Sequence, residues 1–223
     1  MEYKYYTKPE CYEFKYLFNE MKMNEKVDKW LTPVRDDAAA LHAKVNQFYD
    51  SSRPYVFHLD MVADQFLQLY KQSLVRGGEN CELDPELVYA ILFAIYFHDT
   101  IEDCRIHYCD VLGYAKKYLA KKYQEWAADM VFAVTEEKGK TRKDRHNKKY
   151  WDGIAQVPYA YCVKMSDMCA NAMYSWMTNP KRYDSYADEF KENYSSMADE
   201  YSDYFSVFSS TAVEHIRMMP INS

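Results

Sequence analysis

The 223-residue chain is 48% apolar and 28% charged, with a formal net charge of −6 and a pI near 5.6. A chain of this length fits one domain that buries roughly 70% of its unfolded surface. The acidic balance speaks against a general nucleic-acid binder, which depends on neutralising phosphates, and five glycines speak against a turn-rich β protein.

The N-terminal "MEYKYYTKPECYEF" has no apolar core of signal-peptide length. Six cysteines, at 11, 81, 104, 109, 162 and 169, form no CxxC pair. Reduced thiols in a cytoplasmic protein are the expectation. Apolar spacing is helical nearly throughout. "WLTPVRDDAAALHAKVNQFY" places Asp36 and Asp37 near a helix start and Leu41, Val45 and Phe48 on one face. "PYVFHLDMVADQFLQLYKQSLV" sets Val62, Phe66 and Leu69 on one face and stops at Gly77-Gly78. Asp84 as N-cap and Pro85 at the first helical position open the next helix. Its interior is apolar all round, the mark of a central buried helix. That apolar run, Leu87 to Phe97, is about half the length needed to span a bilayer, so no membrane partner is expected. Further helices are expected at about 106–122, 122–136, 142–155, 158–177, 181–207 and 210–217. No strand alternation, repeat or linker divides the chain, so residues 1–223 read as a single all-α domain.

The run leads straight into "YFHDTIEDC", residues 96–104. Buried charge is costly unless it is paired or bound to a metal. If the helix continues one more turn, His98 and Glu102, like Asp99 and Asp103, stand at i, i+4, and all four share one stripe. Imidazole and carboxylate suit the harder first-row metals. Two ligands do not close a site, and His58 and Asp167, each following an apolar run, are further candidates. Taken singly, His58 reads more often as a hydrogen-bonded core residue, and Asp167 as a cap or ion-pair member. Residues 138–149, "KGKTRKDRHNKK", carry seven Lys or Arg against one Asp. They read either as a solvated helix face or as a funnel for a polyphosphate.

In their order and flanking sequence these segments resemble the HD-domain hydrolases of the RelA/SpoT type, particularly the stand-alone small alarmone hydrolases. "RPYVFHLDMVA" is similar to that family's PYI-x-H-P-x-x-VA, "FHDTIEDC" to LLHDTVEDT, and "VFAVTEEKGKTRKDR" to V-x-x-VT-x-x-K…R. "YCVKMSDMCANA" is similar to VKLADKLxN, and "PKRYDSYADEF" resembles the following helix with R-x-x-x-Y. The likeness covers about residues 36–200 and implies an HD-type helical bundle. It implies a divalent metal, usually manganese (Mn2+), on His58, His98, Asp99 and Asp167. It assigns water handling to Glu102 and Asp103. Nucleotide contacts fall to Lys138, Asn171 and Tyr186, with Arg142 or Arg145 beside them. Two carboxylates would balance a dication's charge, leaving open positions for water and substrate. The chain departs from the family after His42, where "HAKVNQFYDSSR" is about two residues longer than the usual QRRK-like stretch and has no arginine before Arg53. Leu59 stands where a proline usually follows the first ligand histidine, and Cys104 replaces a threonine. The implied activity is removal of the 3′-pyrophosphate from guanosine tetra- and pentaphosphate. Removal of the 2′-phosphate from NADP(H), or a nucleotide-binding module without turnover, are the other readings; an intact HDxxED speaks against the last.

Overall fold

The computed structural model describes residues 24–77, 82–179, 181–186 and 188–189. In chain order the helices are α1 (Asn24–Lys44), α2 (Val56–Gly77), α3 (Pro85–Phe97), α4 (Thr100–Asp103), α5 (Tyr108–Tyr118), α6 (Lys121–Val134), α7 (Arg142–Arg145), α8 (Lys148–Gln156) and α9 (Ala160–Thr178). Residues 181–186 and 188–189 are also helical. No strand occurs among the described residues, apart from one isolated antiparallel bridge between Phe48 and Pro54. The chain is an all-α bundle. No described helix is long and apolar enough to cross a membrane.

Helix α3 is the hub. Asp84 accepts from the Glu86 N–H at 3.0 Å, satisfying one of the free donors of the first turn, and Pro85 has no N–H to leave bare. From Leu87 to Phe97 every residue but Tyr89 is buried. Helices α2, α6 and α9 pack on α3, and α9 packs on both α2 and α6. An uninterrupted apolar stretch is stable only where every face meets protein, and α3 lies at that place. One polar clamp crosses this core: the Arg35 guanidinium grips Asp60 with two hydrogen bonds of 2.7 Å, and Tyr96 donates to the same carboxylate at 3.2 Å.

Several expected boundaries move. Helix α1 is already formed at Asn24, the first described residue, well before Asp36, and runs through Pro33. The missing proline N–H is tolerated because Leu31, Val34, Ala38 and Leu41 are all buried along one stripe. The helix ends at Lys44, so Val45 and Phe48 are not core residues; they are 37% and 57% exposed. The expected helix at 142–155 is two, α7 and α8, because Asn147 caps a new start by accepting from Tyr150 N–H at 3.2 Å. The expected helix at 181–207 is described only as far as residue 189, and the one at 210–217 lies outside the described residues.

Candidate metal centre

The stripe of four ionisable residues does not form, because the helix stops at Phe97. His98 lies at the end of α3 with its N–H 3.5 Å from the Ile95 carbonyl, and its Nδ1 takes the same oxygen at 2.7 Å. The Thr100 hydroxyl donates to the Phe97 carbonyl at 2.6 Å. Side chains thus occupy carbonyls that the next helical turn would have used. Asp99 sits in the bridge region at φ −95°, ψ 0°, and α4 restarts beyond it. The break gives His98 and Asp99 one direction and leaves Glu102 and Asp103 on a separate short helix.

Four side chains from three elements then converge. His58 comes from α2, His98 and Asp99 from the α3–α4 turn, and Asp167 from α9. His58 Nε2 lies 3.3 Å from Asp167 Oδ1 and 3.7 Å from Asp99 Oδ2. His98 Nε2 lies 2.9 Å from Asp99 Oδ2 and 3.8 Å from Asp167 Oδ1. His58, His98 and Asp99 can each offer a ligand atom within 4.8 Å of the others. Cis ligands on bonds of about 2.1 Å stand about 3 Å apart, so the spacing suits one small cation. Both histidines are buried, and His98 Nε2 makes no aligned hydrogen bond among the described residues. A buried imidazole nitrogen facing two carboxylates in this way has the donor chemistry of a first-row metal site. The residues fit the implied cation.

The electrostatics show the same crowding. Burial lowers the His98 pKa, but the Asp99 and Asp167 carboxylates outweigh it and lift the ring to about 9. Burial pushes Asp99 and Asp167 up; the His98 ring outweighs it at Asp99 and Lys164 at Asp167, and both carboxyls lie below their ordinary range. Glu102, at the solvent-facing rim, is pushed up to about 7 by desolvation, with Glu136 and Asp99 adding like charge. Asp103 is raised by burial and then by Asp99.

A supporting layer escaped the sequence reading. Tyr55 donates to Asp99 Oδ2. Lys164, buried, pairs with Asp167 Oδ2 at 3.1 Å. Tyr49 stacks on His58 with ring centroids 4.9 Å apart and donates to Asn171 Oδ1 at 2.9 Å. The only signal for these residues was their closeness in sequence to a ligand, which is weak in a chain with 23 tyrosines.

The expected nucleotide-binding residues fall into four situations. Asn171 donates to Asp167 Oδ1 at 2.6 Å and accepts from Tyr49, so both ends of its amide are engaged at the candidate metal pocket. Arg142 pairs with Glu189 at 2.7 Å, Arg145 with Glu136, and His146 bridges both carboxylates. Tyr186 is buried against the Arg142 and Arg182 guanidiniums, 4.9 and 5.7 Å from its ring centre. Lys138 is exposed at the mouth of the basic segment, as are Lys140 and Lys143. Gly139 beside it has no room for a side chain, since a Cβ would come within 2.6 Å of Asp144 Cβ.

Comparison with known proteins adds no relative: no family model matches the chain, and no curated protein matches it.

Proposed function

We propose that the chain is a divalent-metal-dependent phosphohydrolase of the RelA/SpoT-like HD-domain kind, acting on guanosine tetra- and pentaphosphate. The observation that carries the reading is the convergence of two buried imidazoles and two carboxylates, with His98 Nε2 left without an aligned hydrogen bond. His58, His98, Asp99 and Asp167 would hold the cation, manganese by resemblance. Bound there, it supplies Lewis acidity toward a phosphoryl oxygen and makes water more acidic.

The chain's own part is proton handling and orientation. Glu102, whose pKa is raised to about 7, is suited to take a proton from the attacking water. The water oxygen forms its bond to the 3′ phosphorus, the bond from phosphorus to the ribose oxygen breaks, and that oxygen regains a proton. Pyrophosphate and GDP or GTP result. Asp103 orients the same water. Lys138, Lys140 and Lys143 offer exposed positive charge for the remaining phosphates.

One observation favours a second reading. Arg142 and Arg145 are neutralised by Glu189 and Glu136, leaving less free positive charge than a substrate with phosphates at both ends would use. NADP(H), with one 2′-phosphate and a bridging pyrophosphate, asks for less. Manganese-loaded protein incubated with each nucleotide separates the two by product. Pyrophosphate with GDP or GTP is the expected result; phosphate from NADP(H), with both alarmones intact, contradicts it.

A further inference from the structure

Gln47 lies just past α1, in the stretch where the sequence departs from the family it resembles. Asn46 takes a left-handed conformation at φ 54°, the usual way for a non-glycine residue to end a helix. The chain reverses there, and Gln47 N–H returns to the His42 carbonyl at 3.1 Å. Its side chain then spans two groups: Oε1 lies 2.9 Å from His42 Nδ1, and Nε2 donates to Asp103 Oδ2 at 2.5 Å. An ionised carboxylate only accepts, so it needs the NH2 end of the amide. That places Oε1 toward His42, which must donate from Nδ1. His42 is buried and stacked on Tyr55 at 4.2 Å, so its ring cannot swing away. Tyr55 in turn donates to Asp99.

We infer that Gln47 is a positioning residue: its amide, locked in direction by His42, holds Asp103 in one orientation beside the metal pocket. The inference rests on the reading of Asp103 as a water-handling carboxylate. Asp103 sits on a four-residue helix next to other acids, and its side-chain partners are the Gln47 amide and the Tyr55 hydroxyl, which also donates to Asp99. Without Gln47 its carboxylate loses the amide that fixes Oδ2 and keeps only the hydroxyl it shares with Asp99.

The test has two arms. In the first, Gln47→Leu keeps its melting temperature and bound manganese but loses roughly ten- to a hundred-fold in kcat, with KM little changed, as expected for a misplaced reacting group. Gln47→Glu, which sets a carboxylate against Asp103, falls below Gln47→Leu. Added to Asp103→Asn, Gln47→Leu costs nothing further. Additive losses, or a loss confined to KM, overturn the inference. The second arm needs no turnover. The Gln47 side-chain amide proton, identified as the resonance missing from Gln47→Leu, lies downfield in the wild type and moves upfield in Asp103→Ala. A resonance at the ordinary position, unmoved by Asp103→Ala, overturns the inference whatever the substrate. If the resonance behaves as expected while Asp103→Asn keeps full turnover, the reading of Asp103 falls and the inference with it, but the metal centre stands.

Discussion

At the scale of single residues, two kinds of carboxylate stand within a few positions of each other. Asp99 is held below its ordinary pKa against burial by the His98 ring, and Glu102 is raised to about 7 by desolvation and by Glu136 and Asp99. The first environment suits a ligand and the second a proton acceptor. Glu102→Gln therefore keeps the metal and the melting temperature and loses roughly a hundred-fold or more in turnover, measured at saturating nucleotide. Near-normal turnover with metal retained would give Glu102 some other task. The residues of the candidate metal cluster drew attention in the sequence because His58 and Asp167 each follow an apolar run, as does the pair His98-Asp99, where an unpaired polar group is anomalous. The groups that hold them were not. Tyr55 and Gln47 reach the site through tertiary contacts that no local spacing records, and Lys164, one turn before Asp167 on α9, carries only that common spacing as a signal.

Among the elements, α3 was readable to the residue at its start, because an N-cap aspartate and a first-turn proline act locally. Its end was not. Nothing in "AIYFHDTIED" marks a stop, and the helix ends because His98 and Thr100 side chains take the Ile95 and Phe97 carbonyls. The same blindness hid the run of α1 through Pro33, which burial on one stripe overrides. The clamp between α1 and α2 gives a stability test at this scale. Arg35 and Asp60 are both mostly buried, with side chains 18% and 19% exposed. Removing one partner leaves the other charge uncompensated, so Asp60→Ala destabilises by about 3 kcal/mol. For a domain of this size that is a fall of roughly 10 °C in melting temperature. Replacing both, as Arg35→Met with Asp60→Leu, costs less than the single change. A loss under about 1 kcal/mol for Asp60→Ala, the level of an exposed pair, would show the clamp to be peripheral.

On the scale of the whole molecule, the candidate metal pocket exists only when α2, the α3–α4 turn and α9 are packed together, since each supplies part of it. Metal binding there would be linked to the folded bundle, since a cation that binds only the native state stabilises it. The most direct measurement is the metal content of purified protein after manganese loading and desalting, for the wild type and for His98→Ala and Asp167→Ala. The wild type is predicted to hold about one manganese per chain, and both variants, still helical by circular dichroism, to hold almost none. A wild type that retains no metal, or two variants that retain all of it, would contradict the account.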